Sequence, residues 1–376
     1  MKANKKIFFL SNSLFYLKNF RSELIEKYCK MNYEVFLCIP RLRENEILAN
    51  NYFAKIPNIK LVQIDMERTS IDIFSNLKSL YQIFNALKKI KPNFVLLFTI
   101  KPVIFGSFCS MILGINKCFS FITGLGHVFI DEKQTILRLI VKTFYRFTLR
   151  ANKKIFFQNT DDISTFKKAS IVNNDKIVLV KGSGVNLDKF KYAHKEIGKK
   201  INFLFVGRLV KEKGIIEYFK AATEIKKKFR DMVEFHVAGG FDDNPSVISK
   251  STLSEYVKLN SIVYHGYITN MPEMLKKCDV FVLPSYREGT PKSGLEAMAS
   301  SKALLLSNVP GCTNLINDNK NGYFFKPKSW LSLASSIEKI IKNKKNIDDM
   351  GKESLSYAKD NFCVFKINNQ IIQHIK

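Results

Sequence analysis

The feature that most constrains the fold is an alternation: short apolar runs rich in β-branched and aromatic residues keep giving way to longer segments with helical spacing. Strands buried on both faces read as near-continuous apolar runs, so this is the pattern of a parallel sheet covered by helices on both sides. In the first half the strand candidates are 6–11, 33–40, 60–65, 94–98, 117–123, 154–157 and 177–180. The first helical segment carries Phe20, Leu24 and Tyr28 at a spacing of four, a stripe expected to pack on the sheet. Glu23, Glu26 and Lys27 are left to face water.

After Lys181 the run GSGVNLD and a polar stretch to Lys200 interrupt the alternation, as an interdomain linker would. A second series then begins, with strand candidates 201–206, 233–238, 262–264, 280–283, 303–306 and 323–325. A chain of 376 residues exceeds the usual size of one domain. Two α/β domains are expected, 1–185 and 186–376, with the last helical segment a candidate to return to the first.

Lys and Arg outnumber Asp and Glu by 60 to 33, a net +27, which favours anionic partners. AT-rich coding, which enriches Lys, Asn, Ile and Phe together, is an equal source of that excess. The seven cysteines are scattered and never form a C-x-x-C pair, which argues against a disulfide framework or a zinc site and for a reduced, cytoplasmic setting. The N-terminus reads as a first buried strand rather than a signal peptide. The apolar stretch 94–115 is broken by Lys101 and Pro102, so no transmembrane helix is expected.

Two clusters in the second half carry chemistry. Strand 203–206 runs into GRLVKEKG, where Gly207 lets backbone approach a ligand and Arg208 and Lys213 can neutralise a diphosphate. An ordinary strand-to-helix turn with solvated bases is the better reading of that motif when it is taken alone. Further on, VFVLPSYREGTPKSGLEAMAS stops a buried strand at Pro284, places Glu288 in a loop, and opens a helix near Ser293 with Glu296 in its first turn. Free amides at such a helix start can bind sugar hydroxyls or phosphate.

The Glu288-x7-Glu296 pair in EGTPKSGLEAMA, with GRLVKEKG before it and NVPGCTNLINDNKNGYFF after it, resembles the donor site of retaining family-4 glycosyltransferases. In the first half, SNSLFYLKNFRSELIEKYCKMNYEV, FTIKPVIFG, ITGLGHVF and FQNTDD are similar to the bacterial subgroup that acts on polyprenyl-diphosphate-linked glycans for surface polysaccharide, such as O-antigen or capsule, or for protein glycosylation. The resemblance spans about residues 5 to 360 and implies the GT-B fold: two Rossmann-like parallel-sheet α/β domains facing a central cleft. It implies an N-terminal acceptor-binding domain and a C-terminal domain for a nucleoside-diphosphate sugar, with UDP the expected carrier.

Position by position, the resemblance puts Glu296 on the ribose hydroxyls and Glu288 towards the donor sugar. Arg208 and Lys213 lie on the diphosphate, and the amides of Ser293, Gly294 and Leu295 hold the sugar. It implies transfer with retention of configuration and no cofactor, fixed cations taking the place of a metal. His127 is the candidate for the histidine that many family members bring to the donor sugar from the N-terminal domain. Thr290-Pro291 and Lys292 depart from the family's common Phe-Gly and bear on sugar choice. Asp242-Asp243 invites a magnesium reading, which the likeness of GGFDDNP to a loop of the subgroup sets aside. Histidines 194, 236, 265 and 374 lack any metal-ligand spacing.

In QTILRLIVKTFYRFTLRANKK, Arg138, Lys142, Arg146 and Arg150 recur every four residues beside Ile136, Leu139, Ile140, Phe144 and Phe147. An amphipathic helix of this kind suits the inner face of an anionic membrane, with a core-packed helix and a solvated basic face as the other reading. Two further functions stay open: a nucleotide-sugar epimerase of the same fold, and a basic nucleic-acid-binding protein, although no nucleic-acid module accompanies the charge.

Overall fold

The computed structural model describes residues 5–67, 70, 72–124, 136–190, 197–241 and 244–375. The chain divides into two units, one formed by 1–183 with 365–376 and the other by 184–364.

Unit 1 is built from β1 (Lys6–Leu10), α1 (Leu14–Lys30), β2 (Glu34–Pro40), α2 (Ile47–Ala54), β3 (Ile59–Ile64), α3 (Ile73–Ile90) and β4 (Phe94–Phe98). It continues through α4 (Ile100–Ile112), β5 (Cys118–Ile122), α5 (Ile136–Thr148), β6 (Lys154–Phe157), α6 (Thr160–Lys168) and β7 (Ile177–Leu179). The seven strands form one parallel sheet in the order β3-β2-β1-β4-β5-β6-β7. β1, β4 and β5 are apolar and almost wholly buried because helices cover both faces.

On one of those faces, Phe98, Phe121 and Phe156 stack across three neighbouring strands, with ring centres 4.6 and 4.4 Å apart. α1 packs over this face. Its start is fixed by Ser13, whose hydroxyl accepts from the Tyr16 amide at 3.0 Å, and Lys27 and Lys30 complement its carboxyl end. The expected stripe of Phe20, Leu24 and Tyr28 is corrected in part. Leu24 and Tyr28 are buried, but Phe20 is only half-buried and the adjacent inward position belongs to Arg21.

Unit 2 is built from β8 (Ile201–Val206), α7 (Ile215–Phe229), β9 (Val233–Ala238), α8 (Lys250–Lys258), β10 (Val263–Tyr264) and α9 (Met271–Lys276). β11 (Val280–Leu283), α10 (Lys292–Ala299), β12 (Ala303–Ser307), β13 (Gly322–Phe325), α11 (Trp330–Lys342) and α12 (Ile347–Asn361) complete it. Its parallel strands run β10-β9-β8-β11-β12-β13. The last helix, α13 (Val364–Ile375), places Ile367, Ile371, Ile372 and Ile375 in a core with Ile7, Phe9 and Leu24 of unit 1.

Every strand expected from the sequence is present, with no end shifted by more than one residue. Among the described residues no helix is long and apolar enough to cross a membrane.

Candidate functional site

The strand order of unit 2 reverses between β8 and β11, and ligands of doubly wound sheets collect beyond the carboxyl ends of strands at such a switch point. Both sequence clusters lie there. Leaving β8, Gly207 donates its amide to the Ala238 carbonyl at 3.1 Å. A side chain at Gly239 would come 1.8 Å from the Gly207 carbonyl oxygen, so the turns after β8 and β9 touch backbone to backbone.

The turn then delivers Lys213 and ends in Gly214, left-handed at φ 70°, directly before α7. A Cβ at Gly214 would lie 2.1 Å from the Pro284 carbonyl oxygen. This close approach seats the β8–α7 turn against the end of β11. The consequence is a salt bridge between Lys213 Nζ and Glu288 Oε1, with the two side chains 23% and 11% exposed.

The Glu288 loop is held from the other side. Its amide donates to the Pro310 carbonyl at 3.2 Å, and Gly311, at φ 83°, leaves room for the Glu288 and Gly289 carbonyl oxygens. α10 follows with Pro291 at its N-cap, which offers no side-chain oxygen to the first-turn amides. Gly294 lets this helix approach Leu315, whose Cδ2 would lie 2.6 Å from a Cβ there.

The helix begins at Lys292, so Ser293, Gly294 and Leu295 form its first turn. Glu296, expected in that turn, is instead the fifth residue, half-buried. The helix starts one residue early because Pro291 is already in place as its cap. Arg208 is half-buried in the turn after β8. The structure therefore brings Lys213 into contact with Glu288 and puts Gly207, Arg208 and the α10 start at the same sheet edge. His127 and the Asp242-Asp243 pair lie outside the described residues. Among the described residues no group of three or more His, Cys, Asp or Glu side chains is arranged to hold a metal ion.

Several supporting residues escaped sequence reasoning. The Tyr286 amide donates to the Glu212 carbonyl at 2.9 Å, and its hydroxyl donates to Glu217 Oε1 at 2.8 Å, tying the Glu288 loop to the first turn of α7. Burial, reinforced by the bond to Glu217, pushes the Tyr286 hydroxyl pKa well above its ordinary value. Cys312 is buried beside the ion pair; burial raises its thiol pKa, Glu288 adds to the rise and Lys213 offsets part of it. No spacing rule links these positions, since they meet only when the sheet closes. Chemically, the arrangement offers a fixed cation, a carboxylate and an uncapped helix start at one sheet edge, a combination suited to an anionic leaving group attached to a polyol.

The comparisons with known proteins decide the family. Residues 187–356 match the family model described as glycosyl transferases group 1, and residues 6–159 match glycosyl transferase 4-like. The chain belongs to the family-4 glycosyltransferases.

Among relatives of this glycosyltransferase is the N,N'-diacetylbacillosaminyl-diphospho-undecaprenol alpha-1,3-N-acetylgalactosaminyltransferase of Campylobacter jejuni, 28% identical over 356 residues and covering 90% of each chain. The UDP-Gal:alpha-D-GlcNAc-diphosphoundecaprenol alpha-1,3-galactosyltransferase of Escherichia coli is 26% identical over 73% of each. The capsular polysaccharide biosynthesis glycosyltransferase CapM of Staphylococcus aureus is 26% identical over 80% of each. Among solved structures, Anabaena HepE in complex with UDP and glucose superposes with a TM-score of 0.78 at 14% identity, covering 98% of this glycosyltransferase and 99% of HepE. That likeness establishes the GT-B fold, with its two Rossmann-like parallel-sheet domains.

Proposed function

We propose that this glycosyltransferase moves a hexose or N-acetylhexosamine, with retention of configuration, from a UDP-sugar to a glycan carried on polyprenyl diphosphate. The observation that carries the donor half is the Lys213–Glu288 pair at the switch point of unit 2, next to the uncapped start of α10. An arriving diphosphate competes for Lys213, and Glu288 is then released to accept hydrogen bonds from the sugar. Arg208 adds a second positive charge on the diphosphate, the amides of Ser293, Gly294 and Leu295 hold the sugar, and Glu296 binds the ribose. The acceptor hydroxyl attacks from the side of the departing diphosphate, whose developing charge meets fixed cations, so the transfer needs no metal. Support for the lipid-linked acceptor comes from the names of the Campylobacter and Escherichia relatives.

A lipid-linked acceptor calls for a membrane-facing surface, and exposed apolar side chains of unit 1 support such a reading. On α5, Leu139, Ile140, Phe144 and Phe147 are exposed. On α3, Ile73, Phe74, Leu77 and Tyr81 are exposed as well, Phe74 by 82%. α4 packs against both helices, so the two apolar stripes lie on one side of the sheet. Arg146, on α5, and Arg150, just after it, are exposed, Arg146 also donating to the Ala169 carbonyl at 2.6 Å. This surface suits peripheral attachment to an anionic leaflet on the cytoplasmic side.

The test is a mass-spectrometric screen of UDP-sugars with polyprenyl-diphosphate-linked glycans, repeated in EDTA. The expected result is a product heavier by one hexose or N-acetylhexosamine, formed at the same rate with chelator. Conversion of donor without acceptor would instead identify an epimerase.

A further inference from the structure

The sheet of unit 1 has its own switch point, between β1 and β4, where the strand order reverses. Three polar side chains there have no hydrogen-bond partner among the described residues. Ser11 follows β1 and is wholly buried with its Oγ unpaired. Thr99 follows β4; its Oγ1 is unpaired, its φ is 71°, and it precedes α4 without capping it through its side chain. Arg21 is 1% exposed, with Nε, Nη1 and Nη2 all unpaired, and its guanidinium carbon lies 5.1 Å from the ring centres of both Phe98 and Phe121.

All three adjoin Phe98. Leu10 is level with Leu97 across the β1–β4 pair, which puts Ser11 beside Phe98, and Thr99 is the next residue in the chain. Two aromatic faces recover only part of the hydration that a buried guanidinium gives up. A β-branched residue in the left-handed region is strained, and such strain persists where a site demands it. The start of α4, a helix of 13 residues, adds the positive end of a helix dipole. Charge, hydroxyl donors and helix terminus all suit an anionic oxygen ligand.

We propose that this rim of unit 1 is a phosphoryl-binding subsite that holds the diphosphate of the lipid-linked acceptor. The first amides of α4 donate to the phosphoryl oxygens, while the Ser11 and Thr99 hydroxyls, covered in the free protein, and the Arg21 guanidinium act from beneath, turning dipoles and positive charge towards the anion through a low-dielectric interior. The inference rests on the acceptor of the proposed function and assigns the place where its charged group is held.

Arg21→Met keeps the apolar length of the side chain and removes the charge. Because that charge is uncompensated in the free protein, the variant should melt at or above the wild-type temperature. Its KM for the acceptor should rise about tenfold or more, with UDP affinity unchanged, and Arg21→Lys should recover part of the loss. Thr99→Val, which keeps the shape and removes the hydroxyl, should also raise the acceptor KM, and it carries the test if the Arg21 variants fail to fold. An unchanged acceptor KM in Arg21→Met and Thr99→Val overturns the subsite, as does a raised UDP dissociation constant in their place. Inorganic pyrophosphate titrated calorimetrically into the UDP-saturated protein separates the two layers. Binding that disappears in Arg21→Met supports the subsite even if no polyprenyl-diphosphate acceptor is turned over, in which case the acceptor reading alone fails.

Discussion

Lys213 and Glu288 stand 75 residues apart in sequence and form a salt bridge at the carboxyl ends of β8 and β11. Each is mostly shielded from water, so the pair is no simple stability device; desolvation offsets much of its attraction. In the proposed function its role is to open when an anion arrives and the two charges part.

Lys213→Ala removes the cation proposed to meet the leaving diphosphate, and turnover should fall by about 10²–10³-fold. Glu288→Gln should act differently, leaving UDP affinity equal or tighter because Lys213 loses its competitor, while turnover falls. Steady-state kinetics beside UDP titrations checks both; parallel losses of UDP binding in the two variants would show that Glu288 does not compete for Lys213.

Gly214→Ala should destabilise the protein by about 1–3 kcal/mol and lower turnover, since its Cβ would collide with the Pro284 carbonyl as well as strain a left-handed residue. Gly114 is also left-handed, at φ 66°, but has open space around it, so Gly114→Ala should cost only the conformational strain, about 1–2 kcal/mol, with activity intact. Urea denaturation and initial rates of the two variants make the comparison. Equal effects on activity would show that the Gly214 contact does not shape the site.

His236 is buried, its Nδ1 facing His265 Nε2 at 3.0 Å and its Nε2 facing Asn202 Oδ1 at 3.3 Å. Burial lowers its pKa to about 4, Glu234 opposing part of that fall. The unfolded chain protonates this histidine near its ordinary value of about 6.5. Stability is therefore full above that value and lost as the pH falls towards 4, by up to about 1.4 kcal/mol per pH unit. Urea midpoints at about pH 7 and about pH 5 should drop less for His236→Gln than for the wild type. An identical drop would assign the acid sensitivity to other groups.

Reversing Arg138 and Arg146 together to Glu should weaken binding to anionic vesicles about thirtyfold or more, since each cation near an acidic leaflet contributes on the order of 1 kcal/mol. Phe74→Ser with Phe144→Ser should weaken it through the apolar stripes alone, at low and high salt alike. Sedimentation with vesicles reads both, and wild-type-like sedimentation of both variants would remove this surface from the membrane.

Much of the fold was legible because strands buried on both faces leave unbroken apolar runs, as in β1, β4 and β11. The motifs around Gly207 and Glu288 were legible as strand-to-helix turns. Their joint place at a donor site came only from the family resemblance, and the direct pairing of Lys213 with Glu288 was not legible, since it depends on β8 and β11 being neighbours and strand order leaves no local trace. Arg21 was missed for another reason. A charged residue is read as facing water, and α1 turns this one inward, into the place where spacing alone put Phe20. The apolar face of α3 was invisible too, because helical periodicity marks a stripe without telling whether protein covers it.

In the proposed function, unit 2 binds the nucleotide through Glu296 and Lys213. Calorimetric titration of UDP into the wild type, Glu296→Ala and Lys213→Ala tests it most directly. UDP should bind the wild type, with affinity lower by about tenfold or more in each variant. Wild-type affinity in both variants would contradict it.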